Sequence, residues 1–125
     1  MKKNSKILIV DDDPNMHRML ELYLSQENYA ITTASSARKV LARMNINQYS
    51  LIISDLQMPD IDGIAFIGEL RNRNDQTPII VVSAYGDEEI KQKALDAGAN
   101  RILEKPFLRE ELIATINKLI IDETG

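Results

Sequence analysis

The amino-acid sequence predicts an α/β protein in which a five-stranded parallel sheet carries helices on both of its faces. Short apolar runs alternate along the chain with longer segments whose apolar residues recur at helical spacing. The run at 51–54 is apolar on both faces, which is typical of a buried parallel strand. Crossovers between parallel strands are nearly always right-handed, so helices must cover both faces and give a doubly wound, three-layer domain.

The first half of the chain contains three strand–helix units. Pro14 suits the first turn of a helix, and either Ser35 or Ser36 can cap the next one. Gly68 lies inside the third helix, where glycine costs about 1 kcal/mol relative to alanine, and close packing is the only explanation that the sequence offers for it. The predicted elements are a strand at 6–10, a helix at 14–27, a strand at 30–33, a helix carrying residues 37–44, a strand at 51–54 and a helix at about 62–72.

The second half adds two further units of the same kind. Pro78 precedes a strand at 79–82, and Gly98 is a plausible C-cap for a helix at 87–97. A strand at 101–104 and a helix at 108–121 complete a (βα)5 order. We therefore predict a flavodoxin-like sandwich forming a single domain over residues 1–125, with about 5–121 structured.

Composition narrows the classes of function. Hydrophobic residues make up 44% of the chain, enough for a packed core. The formal net charge of −4 argues against direct nucleic-acid binding through a basic face. The chain has no cysteine, and no apolar run approaches the roughly 20 residues of a membrane span. We expect a cytoplasmic domain without disulfides, thiolate metal sites or membrane segments.

Polar residues stand where four of the five predicted strands end. The carboxyl ends of parallel strands lie along one edge of the sheet, and ligands of open α/β sheets bind there. We therefore expect these side chains to converge on one small site. They are Asp11 and Asp12 after the first strand, Asp55 after the third, Ser83 and Ala84 after the fourth, and Lys105 and Pro106 after the fifth.

The aspartates at these strand ends predict a magnesium site. Neighbouring carboxylates repel one another unless a cation is present. Mg²⁺ prefers oxygen ligands and usually takes one or two carboxylates together with a phosphate oxygen. The backbone carbonyl of Gln57 is a candidate further ligand, and Lys105 and Ser83 can bind phosphoryl oxygens. We interpret the site as one that a phosphoryl group completes.

Each residue also has a purely structural interpretation. Asp13 is equally well explained as the cap of the helix that Pro14 begins. Asp55 alone could be a turn residue, and a single serine or lysine is by default an ordinary solvated side chain. His17, on the first helix, is predicted to be a solvated helix residue. The functional interpretation depends on all the strand ends taken together.

Five short motifs stand in order along the whole chain: Val10-Asp11-Asp12, Asp55 followed by Met58-Pro59, Asp62-Gly63, Ser83-Ala84, and Lys105-Pro106-Phe107. Together they resemble the receiver domain of bacterial response regulators. The single-domain chemotaxis and phosphorelay receivers are the most similar in form. Any one motif is weak evidence, whereas five in register are highly specific.

The resemblance implies a role for each residue of the site. Asp55 would accept a phosphoryl group from a histidine kinase or a histidine phosphotransfer protein. Asp11, Asp12, Asp55 and the carbonyl of Gln57 would hold Mg²⁺, or Mn²⁺ in its place. The phosphoryl-binding and switch residues would be Ser83, Ala84 and Lys105, and Lys105–Pro106 is a candidate cis peptide bond.

The resemblance also implies a signalling function. Such a domain catalyses only its own phosphorylation and dephosphorylation, and phosphorylation would switch the 83–112 surface for an output partner or a missing C-terminal output domain. It would act as a monomer or weak dimer. Many family members carry Tyr or Phe three residues before the lysine, but this chain has Ile102, so the aromatic part of the switch is in doubt. Tyr85 is expected at the mouth of the site, where its ring could shield the aspartyl phosphate.

Two other functions share parts of this pattern. A Mg²⁺-dependent phosphatase of the haloacid dehalogenase type also uses a strand-end aspartate, a hydroxyl and a lysine, and residues 11–13 supply an Asp-x-Asp. Such enzymes usually need a longer chain, and Asp55 followed by Met-Pro favours the receiver. A flavodoxin-like cofactor binder is disfavoured because the first loop is acidic where a phosphate loop needs Ser, Thr and Gly.

Overall fold

The computed structural model describes residues 5–27, 29–43, 48–56, 62–84 and 86–120, which form strands and helices in strict alternation. No helix in these ranges combines the length and apolar character needed to cross a membrane. The elements are β1 (Ser5–Val10), α1 (Pro14–Leu24), β2 (Tyr29–Ala34), α2 (Ala37–Arg43), β3 (Leu51–Asp55), α3 (Gly63–Asn72), β4 (Ile79–Ala84), α4 (Glu88–Ala97), β5 (Arg101–Lys105) and α5 (Arg109–Ile120).

The strands form one five-stranded parallel sheet in the order β2-β1-β3-β4-β5. The chain reverses its direction of travel across the sheet between β1 and β3, and this switch point leaves a crevice at their carboxyl ends. The register sets Asp55 beside Val82 of β4, and Ala84 beside Lys105 of β5. The predicted fold class is confirmed, including helices on both faces of the sheet.

Alternate residues of the strands belong to two separate apolar clusters, one on each face of the sheet. Leu8, Ile52 and Val81 point to the face covered by α2, α3 and α4. Ile9 and Ile53 point to the opposite face, which α1 and α5 cover. Successive side chains of a strand point to opposite faces, so the central strands contribute to both clusters. Burying one such aliphatic side chain stabilises the fold by about 1.5–3 kcal/mol. The two clusters therefore cover the sheet on both of its faces.

Side-chain caps fix where four helices begin. Asp13, Ser36, Asp62 and Asp87 each accept a hydrogen bond from a backbone N–H in the first turn of the following helix. The helices therefore begin at or just after the predicted positions. Helix α1 ends at Leu24, three residues short of its predicted end, because Ser25 already closes the last turn as the C-cap.

The strands at the site continue further than the sequence predicted. β3 includes Asp55, β4 includes Ser83 and Ala84, and β5 includes Lys105. The parallel ladder between neighbouring strands extends over these polar positions. Most of the predicted site residues are therefore held by the sheet itself and not by the loops that follow it.

Two glycines of the predicted helices have different outcomes. Gly98 is the C-cap of α4 with φ +124°, a backbone conformation that disfavours other residues, as the sequence predicted. The interpretation of Gly68 as a site of close packing is wrong, because a Cβ placed there meets no atom within 4 Å.

Candidate functional site

Three aspartates meet at the switch point of the sheet. Asp11 and Asp12 follow β1, and Asp55 is the last residue of the adjacent strand β3. One carboxylate oxygen from each residue lies within 4.8 Å of the others. Asp11 is buried, Asp12 is exposed, and Asp55 lies between these extremes. The cluster therefore has one side in the protein and one side open to an incoming group.

The electrostatics of this cluster favour a cation. Burial raises the pKa of Asp11 above its ordinary value, and the nearby charge of Asp55 raises it further. A hydrogen bond of 2.8 Å, donated by the backbone N–H of Asp13 to Oδ1 of Asp11, opposes these effects only in part. Three carboxylates supply the hard oxygen donors that Mg²⁺ prefers, so the residues present fit this ion.

A lysine and a serine complete the same edge of the sheet. The Nζ of Lys105 lies 3.5 Å from Oδ2 of Asp55, and the Lys105–Pro106 peptide bond is cis. Ser83 is buried, and its hydroxyl donates a long bond of 3.3 Å to the carbonyl of Ala84. An ammonium and a hydroxyl thus lie beside a carboxylate cluster, which is an arrangement suited to holding a phosphoryl group.

A cleft of about 410 Å³ opens at this point. Asp55, Ser83 and Lys105 line it, together with Ile64 in the first turn of α3 and Ile90 in the first turn of α4. The candidate site is therefore a pocket with both polar and apolar walls.

The start of α3 lies unusually close to the strand that carries Asp55. A Cβ on Gly63 would be 2.6 Å from Cα of Leu56 and 2.7 Å from the carbonyl oxygen of Asp55. Both contacts are with backbone atoms, which cannot move aside cheaply. Only glycine permits this approach, and the backbone N–H of Gly63 uses it to donate a 2.9 Å bond to the carbonyl of Leu56.

Glu104, the residue before Lys105, connects β5 to α4 and to the turn before it. Its Oε2 accepts a 3.0 Å hydrogen bond from the backbone N–H of Gly86 and pairs with Nζ of Lys91. Lys91 also contacts Oε2 of Glu88 at 2.7 Å. The hydrogen bond from Lys91 lowers the pKa of Glu104, and the one to Glu104 raises the pKa of Lys91. The only indication in the sequence was that Glu104 directly precedes Lys105, and the structure sets it beside Ser83 in the register.

Other predicted residues have mixed outcomes. The interpretation of His17 as a solvated residue is wrong, since it is half-buried and Nε2 donates to the carbonyl of Asp11. Ile102 is half-buried and packs against the cluster under α2, α3 and α4. Gln57 and Tyr85, the predicted carbonyl ligand and shielding ring, lie outside the described residues.

Comparison with known proteins gives a consistent result. The family model described as the response regulator receiver domain matches residues 7–117. The transcriptional regulatory protein ResD of Bacillus subtilis is 36% identical over 93% of this chain and 48% of its own length. The response regulator ArlR of Staphylococcus saprophyticus is 39% identical over 93% of this chain and 52% of its own. The chain thus spans about half the length of the curated relatives it matches.

Solved structures agree with this assignment. The receiver domain of the Francisella response regulator 1452 superposes with a TM-score of 0.84 at 31% identity, covering 98% of this chain and all of that one. The chemotaxis response regulator CheY4 of Vibrio cholerae also gives a TM-score of 0.84 at 31% identity, covering 94% and 99% of the two chains. These matches confirm the predicted resemblance and give no support to the haloacid dehalogenase alternative.

Proposed function

Because the chain belongs to the response regulator receiver family, we propose that Asp55 is the residue that accepts the phosphoryl group in a two-component or phosphorelay pathway. The observation that carries this proposal is the arrangement around its carboxylate. Two further carboxylates lie within 4.8 Å, and the ammonium of Lys105 lies 3.5 Å away. This combination supports phosphoryl transfer to Asp55 better than transfer to Asp11, which is buried, or Asp12, which is exposed.

The transfer needs positioning and charge neutralisation more than covalent help from other groups. A carboxylate oxygen of Asp55 attacks phosphorus while the bond to the donor's histidine nitrogen breaks, and the imidazole leaves with the electron pair. Lys105 binds a phosphoryl oxygen and offsets its charge. Ser83 donates its hydroxyl to a second oxygen once it gives up its long bond to the carbonyl of Ala84.

We assign Asp11, Asp12 and Asp55 as the protein ligands of Mg²⁺, with Mn²⁺ as a substitute. The carbonyl of Gln57 is our proposed further ligand. When bound, the ion neutralises charge on the carboxylates and on the phosphoryl oxygens. The hydrogen bond from the Asp13 N–H holds Asp11 in place, and that from His17 holds the backbone next to it.

The proposed phosphodonor is a phosphorylated histidine kinase or histidine phosphotransfer protein in the cytoplasm. Phosphorylation changes the conformation of the 83–112 surface, and an output domain or a separate protein binds the changed surface. The domain catalyses only its own phosphorylation and dephosphorylation. Ala84 belongs to the switch because its backbone lies between the phosphoryl-binding Ser83 and the loop that precedes α4.

The direct test is the intact mass of the protein after incubation with acetyl phosphate and Mg²⁺. We expect a gain of one phosphoryl group in the parent and none in Asp55→Asn. With a chelator present from the start of the incubation no adduct should form, since the carboxylates would then repel the incoming group. Asp12→Asn should slow the reaction, whereas Asp96→Asn, which removes an exposed carboxylate on α4, should leave it unchanged.

Two results would contradict the proposal. One is an adduct that persists in Asp55→Asn, which would move the acceptor to another residue. The other is steady hydrolysis of a generic phosphate ester without a dependence on Asp55, which would indicate a phosphatase. Phosphorylation by a purified kinase domain, followed by the same mass measurement, distinguishes a strict requirement for a protein donor from an inactive site.

A further inference from the structure

The two edge strands of the sheet differ in the charge that they carry. β2 has only β1 as a neighbour in the sheet, and β5 has only β4. β5 contains Arg101, Glu104 and Lys105, whereas β2 contains no charged residue, proline or glycine. Charged residues and proline protect an edge strand from pairing with another chain. β2 therefore lacks a protection that β5 has.

Half of the backbone groups of β2 face away from the sheet. The N–H of Asp11 donates to the carbonyl of Ala34, so Ala34 faces β1, and so do the alternate residues before it. The N–H and C=O groups of Tyr29, Ile31 and Thr33 therefore face outward. Within the ranges that the structure describes, no further strand pairs with this side of β2.

The outer edge of β2 is accessible and keeps an extended shape. Ala30 and Thr33 are exposed, and Tyr29 and Ile31 are half-buried against the apolar cluster under α1 and α5. Tyr, Ile and Thr make up most of the strand, and these residue types favour β structure. The edge therefore presents a fixed row of donors and acceptors to a second strand.

We propose that β2 pairs antiparallel with β2 of a second copy of this chain, centred on Ile31. In this register Ile31 lies opposite its own counterpart, and Tyr29 of one copy lies opposite Thr33 of the other. All of these residues have outward backbone groups, so each opposed pair exchanges both of its N–H···O=C bonds. Aromatic and β-branched side chains placed opposite each other stabilise such a pair further.

Charge and symmetry favour a second copy as the occupant of this edge. Each copy carries a formal net charge of −4, so two copies repel one another unless they meet on an uncharged surface. β2 is such a surface, and the two-fold arrangement uses the same residues on both sides. One strand from each copy buries less than the roughly 1,200 Å² of a stable interface, so the dimer is weak and depends on concentration.

The pairing leaves the candidate phosphorylation site free. β2 lies at the opposite edge of the sheet from β4 and β5, so the two sheets join with their 83–112 surfaces at the outer ends. The association therefore needs no phosphorylation, and it goes beyond the function proposed above. Its test uses the unphosphorylated protein, and Asp55→Asn should dimerise as the parent does.

Hydrogen exchange of individual amides, followed by nuclear magnetic resonance, tests the pairing at chain concentrations of about 0.05 to 1 mM, where weak dimers form. We expect exchange at Ile31 and Thr33 to slow as the concentration rises, by about twofold where half of the chains are paired. The amides of Ala30 and Thr32 face β1, so their exchange should not change. Sedimentation equilibrium should show a dimer at the same concentrations.

Substitutions at Thr33 locate the contact. Thr33→Pro removes an outward N–H and Thr33→Lys adds a charge to the edge, and each should raise the dissociation constant at least about tenfold. Thr33→Val also loses the hydroxyl group but keeps the N–H, so it should dimerise normally. Gln92→Lys is the matched control for charge, because it adds the same charge at an exposed position of α4. Slow exchange at Thr32 identifies the variants in which β2 remains in the sheet.

Salt provides an independent check. Added salt should strengthen the pairing slightly, because it screens the repulsion between two anionic copies. A dimer that salt weakens would depend on ion pairs, which β2 does not contain, and would overturn the proposal.

Three further results would also overturn the proposal. The first is a protein that remains monomeric at the highest concentration. The second is a dimer in which exchange at Ile31 and Thr33 is not slowed. The third is a dimer that persists unchanged in folded Thr33→Pro and Thr33→Lys. The second and third results would place self-association on another surface.

Discussion

The surroundings of Asp11 disfavour the charged form of its carboxyl group. Asp11 is only 2% exposed, and its carboxylate lies close to those of Asp12 and Asp55. Burial, the larger cause, and the charge of Asp55 both raise its pKa above the ordinary value. A carboxyl group whose pKa is raised by folding stabilises the fold while it is protonated. That stabilisation is lost as the pH rises through the folded-state pKa, so charged Asp11 weakens the metal-free fold at neutral pH.

Asp11→Asn should therefore raise the melting temperature at neutral pH in the presence of a chelator, by a few degrees. The amide oxygen of Asn can still accept the hydrogen bond from the N–H of Asp13. The gain should shrink as the pH falls toward 3.8, the ordinary value for this carboxyl, because the parent then becomes protonated. Thermal unfolding followed by circular dichroism measures both effects.

Mg²⁺ should reduce or reverse the difference in melting temperature between Asp11→Asn and the parent. Binding to the folded state raises the parent's melting temperature by mass action, whereas Asp11→Asn has lost one anionic ligand and should gain less. Asp13→Asn is the control, because Asn also caps helices well and Asp13 is not part of the carboxylate cluster. Equal stabilisation of parent and Asp11→Asn by Mg²⁺ would show that Asp11 is not a ligand.

Helix α3 contains two glycines whose replacement by alanine should have opposite effects. A Cβ on Gly63 collides with the backbone of Asp55 and Leu56, and overpacking of this kind costs about 1–3 kcal/mol. A Cβ on Gly68 meets no atom within 4 Å, and alanine in a helix is favoured over glycine by about 1 kcal/mol. Gly63→Ala should also slow phosphorylation, because the clash shifts the strand end that carries Asp55.

Urea unfolding of both variants, together with the rate of phosphorylation by acetyl phosphate, tests this pair. Gly68→Ala serves as the matched control, since it makes the same chemical change in the same helix at a position where the added Cβ meets no atom within 4 Å. A stable Gly63→Ala with an unchanged phosphorylation rate would show that the close approach of α3 to β3 has no functional consequence.

The connection between β5 and α4 depends on Glu104. Its carboxylate binds Lys91 of α4 and the backbone N–H of Gly86, so one side chain of β5 anchors both the helix and the turn before it. The pKa of Glu104 is lowered by these partners, chiefly by Lys91. A carboxyl group with a lowered pKa stabilises the fold above its unfolded-state value, and this contribution disappears as the pH falls through the folded-state pKa.

Glu104→Gln should loosen this connection at neutral pH. We expect hydrogen exchange at the amide of Gly86 and in the first turn of α4 to accelerate by about two- to fivefold, because an exposed ion pair contributes little. Parent and variant should converge only as the pH falls through the lowered pKa of Glu104, which lies below the ordinary value of 4.5 for this carboxyl, because the parent loses its charge there. Nuclear magnetic resonance resolves the exchange of individual amides.

Glu89→Gln provides the control on the same helix. Glu89 and Lys93 form an exposed pair with a longer separation of 3.8 Å and no hydrogen bond to Gly86 or Asp87, the described residues of the turn before α4. Its removal should leave exchange at Gly86 unchanged. Equal acceleration in both variants would indicate a general loss of helix stability and not the loss of the connection to β5.

The fold and the core of the site were predictable from the sequence because both follow from the apolar pattern and from the parallel order of the strands. Short continuous apolar runs predict the buried strands, and right-handed crossovers set the layers. Since parallel strands end at one edge, the positions of Asp11, Asp55 and Lys105 in the sequence were enough to predict that they meet.

The features that the sequence did not reveal all depend on exact distances between separate elements. Gly63 looks like any turn glycine until the 2.6 Å approach to Leu56 is known. The attachment of Glu104 to Lys91 depends on how α4 lies over β5, and that of His17 to Asp11 depends on the angle at which α1 leaves β1. Gly68 was misinterpreted because sequence alone cannot distinguish a packed helix face from an open one.

Phosphorylation should move only one part of the molecule. Ser83 and Lys105 lie on neighbouring strands, and Glu104 connects their edge to α4. Ile102 packs on the same side but has no ring to reorient, so we expect backbone shifts to carry the change. We expect amide chemical shifts to change over 83–105 on phosphorylation, while those of α2, which is separated from this edge by α3, stay nearly constant.

Ile102→Val tests the dependence on backbone shifts directly. The substitution removes one methyl group at a cost of about 0.5–1.5 kcal/mol and supplies no ring, so the same amides should respond to phosphorylation. Asp55→Asn, treated identically, should show no response. Two results would contradict this view: chemical-shift changes as large in α2 as in α4, or a folded Ile102→Val that no longer responds to phosphorylation. Either would mean that side-chain packing under the helices transmits the signal, and that the strand ends do not.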